Sequence, residues 1–116
     1  MSDTSELEKY VMQKSLEARG FAQLLAEELG IDAEFGGMAT NGKELVCDVA
    51  LENVSADDAE KIKSIITSMG FVPKGTKEVD DETVADVFER NDGSKIVTFN
   101  TGGEITDILL VFPLNR

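Results

Sequence analysis

The stretch TVADVFERNDGSKIVTFNTGGEITDILLVF, residues 83–112, decides the fold. It reads as three strands, Thr83 to Glu89, Lys95 to Asn100 and Ile105 to Phe112, because β-branched and aromatic residues recur between turn dipeptides at Asp92-Gly93 and Gly102-Gly103. Links this short join antiparallel strands only, since a parallel crossover needs a dozen or more residues, usually a helix. A small parallel α/β fold is therefore disfavoured, and an antiparallel sheet is expected.

Working back from these strands, Ala56 to about Met69 has a helical apolar stripe of Ala59, Ile62, Ile65, Ile66 and Met69. Ser55 with Asp58 forms a capping-box variant, Asp57 and Glu60 suit the positive end of the helix dipole, and Gly70 supplies the stop. Phe71-Val72-Pro73 leads into a segment read as a polar connection, Lys74 to Asp81. Ile31 to Leu51 reads as a hairpin around Asn41-Gly42, a dipeptide that accepts positive φ. Its second arm is the clearer one, with Leu45, Cys47, Val49 and Leu51 alternating against Glu44, Val46, Asp48 and Ala50. In the first arm Gly36-Gly37 points to a weakened strand or a bulge. At the amino end, Thr4 to Leu29 forms an amphipathic helix through Leu7, Val11, Ala18, Ala22, Leu25 and Leu29. Asp3 or Thr4 is expected to cap it, and Gly20 to bend or divide it.

The order α-β-β-α-β-β-β predicts an α+β two-layer sandwich, a five-stranded antiparallel sheet with two helices, as one domain over residues 1–116. A chain of this length, 41% hydrophobic, is sized for a single core.

Charge and missing residue types then narrow function. The chain holds 23 Asp plus Glu against 11 Lys plus Arg, a net charge of −12, with no His and one Cys. Direct binding to nucleic acid or to an anionic membrane is disfavoured, because both need cationic side chains. Absence of His removes Ser-His and Cys-His nucleophile systems and most zinc sites. No apolar run nears the ~20 residues of a membrane span, and Met1 to Glu8 lacks the features of a signal peptide, so a cytoplasmic location is expected. Cys47 is expected to pack in the core.

Catalysis by carboxylates alone would need acids in unequal environments. Asp48, Asp86 and Asp107 are the acids inside otherwise apolar strands, and all three are read as lying on the more polar face. No catalytic residue, cofactor or metal ligand is assigned. An EF-hand alignment through Gly93 places Phe88 and Phe99 where acidic ligands belong, and neither Gly36-Gly37 nor Gly102-Gly103 opens a helix after a strand as a phosphate cradle would.

Two features remain. The first is an acidic band, Glu78, Asp80, Asp81, Glu82, Asp86, Glu89 and Asp92, joined by Asp57, Asp58 and Glu60 at a helix start; from Gly93 onward the chain has only two acids against two bases. Alternate side chains of a strand stand ~6.8 Å apart, so rows of carboxylates would imitate a phosphate backbone. The second is the end of the last strand, with Leu109 and Val111 on one side and Ile108, Leu110 and Phe112 on the other. Both sides need cover, from helices on both faces, a second copy or a partner.

The leading expectation is a small non-enzymatic inhibitor that neutralises a basic, nucleic-acid-handling protein such as a nuclease through those ten acids. In size, acidity and lack of catalytic groups the chain resembles small phage-encoded inhibitors, including anti-CRISPR proteins, and bacterial toxin-immunity proteins. One alternative is a dimeric secretion-type chaperone using the apolar strand, though that family usually ends in a helix. The other is a weak divalent-metal or small-ligand domain.

Overall fold

The computed structural model describes the backbone of residues 2–114 and the side chains of residues 5–114. The elements are α1 (Ser2–Leu29), β1 (Asp32–Thr40), β2 (Glu44–Glu52), α2 (Ala56–Ser68), β3 (Val72–Glu78), β4 (Thr83–Glu89), β5 (Lys95–Thr101) and β6 (Glu104–Pro113). All six strands join one sheet in the order β1-β2-β6-β5-β4-β3, antiparallel at every pairing. The architecture is the expected α+β type, with six strands in place of five.

The added strand is β3, which takes in most of the Lys74 to Asp81 segment that the sequence presents as a polar connection. Val72-Pro73-Lys74-Gly75-Thr76-Lys77-Glu78 has no alternation to reveal it, and all seven residues are exposed. It is a strand because β4 presents free backbone groups for it to pair with, and a bulge between Pro73 and Gly75 keeps Pro73 from breaking the ladder.

β6 lies between β2 and β5. The most apolar strand is thereby kept from the sheet edges, where its unpaired backbone would invite aggregation. Its register with β5 shifts between Phe99 and Asn100, so that Ile105 and Ile108, on either side of Thr106-Asp107, are both buried.

Both helices pack on one face of the sheet. A single buried cluster joins Ala18, Phe21 and Leu25 of α1 and Ile62 and Ile66 of α2 to Leu45, Cys47 and Val49 of β2, Ile96 of β5 and Ile108, Leu110 and Phe112 of β6. Burying such side chains fully contributes at most ~1.5–3 kcal/mol each. Helix cover on both faces, the simplest expectation for the apolar strand, is thus not what the chain builds.

The local signals are realised with some changes. Ser55 Oγ accepts the Asp58 N–H at 3.1 Å, and Gly70 ends α2 at φ +94°. Gly102 and Gly103 both have positive φ, giving the tight turn between β5 and β6. Asn41 instead accepts the N–H groups of Lys43 and Glu44 with its side chain, leaving positive φ to Gly42 alone. α1 runs unbroken through Gly20, where an added Cβ would meet nothing. The caps expected at Asp3 or Thr4 lie outside the described side chains.

Candidate functional site

Antiparallel pairing gives the sheet two ends, and the chain sorts its charges between them. At one end lie the start of β1, the end of β2, the β3–β4 turn and the β5–β6 turn. Asp32 pairs directly with Glu52, Glu104 closes the turn opposite Thr101, and the Gly102 N–H donates to the Glu82 carbonyl, tying two turns together. α2 begins at the same end, because only Asn53, Val54 and Ser55 separate it from β2. Glu78, Asp80, Asp81 and Glu82 therefore share this end with Asp57, Asp58 and Glu60, and Asp32, Glu52 and Glu104 join them. Residues 52–58, 78–83 and 101–104 contain no Lys or Arg.

The other sequence-predicted acids are placed elsewhere. β4 carries the chain across the sheet, so Glu89 and Asp92 lie at the opposite end and Asp86 in between. Asp86 is on the helix side of β4, in register with Thr98, and accepts a hydrogen bond from the Thr76 hydroxyl at 2.7 Å. Asp48 and Asp107 are on the other face, so the three strand acids do not share a face. Nor do the ten sequence-predicted acids line a strand at phosphate-like spacing: most of them stand in turns and at a helix start, and the acids that do alternate along a strand, Asp32 and Glu34, lie on β1.

The acids also differ in their work. Asp80 accepts the N–H groups of Glu82 and Thr83 at 2.9 and 2.8 Å, which holds the β3–β4 turn and lowers its carboxyl below the ordinary range. Glu60 pairs with Lys63 at 3.6 Å within α2. At the opposite end, Arg90 lies over the Phe71 ring and reaches Asp92 at 3.0 Å and Glu17 of α1 at 3.2 Å. Partial burial would raise the Asp92 carboxyl, but Arg90 and Ser94 hold it down to about 2. Lys14, Lys43, Arg90 and Lys95 stand there among Glu17, Glu44, Glu89 and Asp92, so this end is balanced where the first is acidic.

The second expected feature, the two-sided apolar strand, becomes a whole surface. On the face away from the helices, β2, β6, β5 and β4 present three cross-strand rows: Val46, Val111, Lys95 and Glu89; Asp48, Leu109, Val97 and Val87; Ala50, Asp107, Phe99 and Ala85. Val46, Val87, Val97, Phe99, Leu109 and Val111 are partly exposed and lie outside the buried cluster. Alternation in β4 and β5 carried this signal, but it becomes a surface only once the strand order is known. Within it, burial, the charge of Asp107 and a hydrogen bond shared with Asp107 raise the Asp48 carboxyl. A Cβ on Gly36 would come within 2.7 Å of Asp48 Oδ2, so the bulge between Phe35 and Gly37 places a glycine where that carboxylate needs room.

Cys47 is buried in the core, and burial pushes its thiol up to about 11, with Arg19 acting in the opposite direction; it is a packing residue, poorly suited to nucleophilic work at neutral pH. Among the described residues no three Cys, Asp or Glu converge on a point that would hold a metal ion. No helix of the described chain is long and apolar enough to cross a membrane. No known protein family, curated protein or solved structure matches the chain.

Proposed function

We propose that the chain is a non-enzymatic binding protein that takes a basic protein partner on the acidic end of its sheet and so blocks it, in the manner of an inhibitor or immunity protein. The observation that carries this reading is the gathering of Asp57, Asp58, Glu78, Asp81, Glu82 and Glu104 at one end with no intervening base, while the other end is balanced. The folded chain is thereby electrostatically polar. Such a patch speeds encounter with a cationic surface and makes affinity fall as salt rises, over a Debye length of ~8–10 Å at physiological ionic strength. The acids of this end stand in turns anchored by a rigid sheet, an arrangement that costs little ordering on binding.

The experiment is capture of basic proteins from lysate by immobilised chain across a salt series, comparing the natural sequence with Glu78→Lys, Asp81→Lys, Glu82→Lys combined. Asp80 is left in place because it holds the turn. Capture that weakens with salt and is lost in the triple variant is the expected result. Salt-insensitive capture, or capture unchanged by the three reversals, overturns the reading.

A further inference from the structure

We infer that the open face of the sheet is an interface between two copies of this chain, packed face to face as a four-layer assembly with the helices outermost. This goes beyond the acidic end, whose turn and helix-start acids lie at the rim of the sheet and outside the proposed contact.

The first argument is area. Six strands ~4.8 Å apart and about seven residues long at ~3.4 Å each give a face of roughly 24–29 by 24 Å, some 600–700 Å² per copy. Two copies bury ~1,200–1,400 Å² in total, within the range of specific interfaces. The largest side chains of the face, Leu109, Phe99, Val97 and Val111, form a contiguous patch that neither helix covers. Monomeric soluble proteins rarely leave a patch of several hundred Å² open.

The second argument is charge. A second copy carries the same −12, so it can approach only where acids of one copy meet bases of the other. The open face carries Asp32, Glu34, Glu44, Asp48, Glu52, Glu89 and Asp107 against Lys77 and Lys95, but its charges divide across the strand order: Glu34 on β1 and Lys77 on β3 end the same cross-strand row, so a two-fold axis along the strands lays the acidic side of one copy over the lysine side of the other.

The third argument is that the other route to association is closed. Both sheet edges are interrupted, β1 by a bulge between Phe35 and Gly37 and β3 by a bulge beside Pro73, which blocks edge-to-edge strand pairing. Two sheets with the same twist do pack face to face, aligned to within about 30° and ~10 Å apart, with their side chains interdigitated. The exposed apolar residues of α1, Leu7, Met12, Leu16 and Leu24, lie on a convex helix surface and offer no comparable plane.

Sedimentation equilibrium of the full chain between about 1 and 100 μM tests the inference. The expected mass is twice the 12.6 kDa of one chain. Leu109→Lys is expected to give a folded monomer by circular dichroism, and Leu16→Lys on α1 to leave the dimer intact. Should Leu109→Lys fail to fold, Val87→Lys at the margin of the face provides the same readout. A natural chain that stays at 12.6 kDa throughout, which would leave the face to a partner of another kind, overturns the inference. So does a folded face variant that remains dimeric, or dissociation by Leu16→Lys with the face variants still paired.

Discussion

Leu109 and Leu110 are neighbours of the same type in the same strand, and the fold assigns them opposite fates. Leu110 is fully hidden beneath the helices, in contact with the cluster that joins α1, α2 and the sheet. Leu109 is partly exposed on the open face and outside that cluster. Truncating a buried Leu to Ala forfeits its transfer free energy and leaves a cavity, so Leu110→Ala is expected to cost about 3 kcal/mol. That is a large share of the ~5–15 kcal/mol that holds a domain together. Leu109→Ala removes a side chain that is still partly wet in the single chain, and about 1 kcal/mol or less is expected. Urea denaturation followed by circular dichroism separates the two: with a slope near 1.5–2 kcal/mol per molar, the midpoint falls by about 1.5–2 M for Leu110→Ala and by about 0.5 M for Leu109→Ala. Sub-micromolar protein is used, where a second copy contributes least. Equal midpoint shifts would refute the reasoning, because they would mean that both faces of β6 are packed to the same degree within one chain.

Two further expectations concern carboxyls. Asp92, held at about 2 against 3.8 when free, would correspond to about 2 kcal/mol. Solvent screening of a side chain 47% exposed reduces this to about 1 kcal/mol. Because the folded value is the lower one, this stability is present above about pH 4 and lost as pH falls to about 2. Asp92→Asn should therefore lower stability by about 1 kcal/mol at pH 7 and match the natural chain near pH 2; an undiminished gap at pH 2 would contradict the ion-pair account. Asp48 is raised by burial and by Asp107, so folding favours its neutral form and the natural chain loses stability as pH rises past the ordinary carboxyl range. Asp48→Asn is expected to raise the melting temperature at pH 7 and leave it unchanged near pH 3, and a lowered value at pH 7 would count against it.

The local elements were legible because their signals are local. Ile62 and Ile66 recur at helical spacing, Leu45 to Leu51 alternate, and Ser55, Gly70 and Gly102-Gly103 mark starts and stops that the structure uses. β3 was not legible, since Pro73 and Gly75 argue against a strand and only the neighbouring β4 makes one there. The acidic site was half legible. The acids themselves are in plain view, but a run that is continuous in sequence, Glu78 to Asp92, is split by the length of β4 between opposite ends of the sheet, and three acids far from it in sequence, Asp32, Glu52 and Glu104, join its nearer half.

The sequence by itself determined that this is an acidic α+β domain with an antiparallel sheet, without histidine chemistry, and with a last strand apolar on both sides; each of these follows from composition or from periods of two and 3.6 residues. Tertiary structure alone decided which side of that strand the helices take and where the charge collects. Those outcomes depend on strand order and on which turns share an end, and both are set by pairing between residues far apart in the chain.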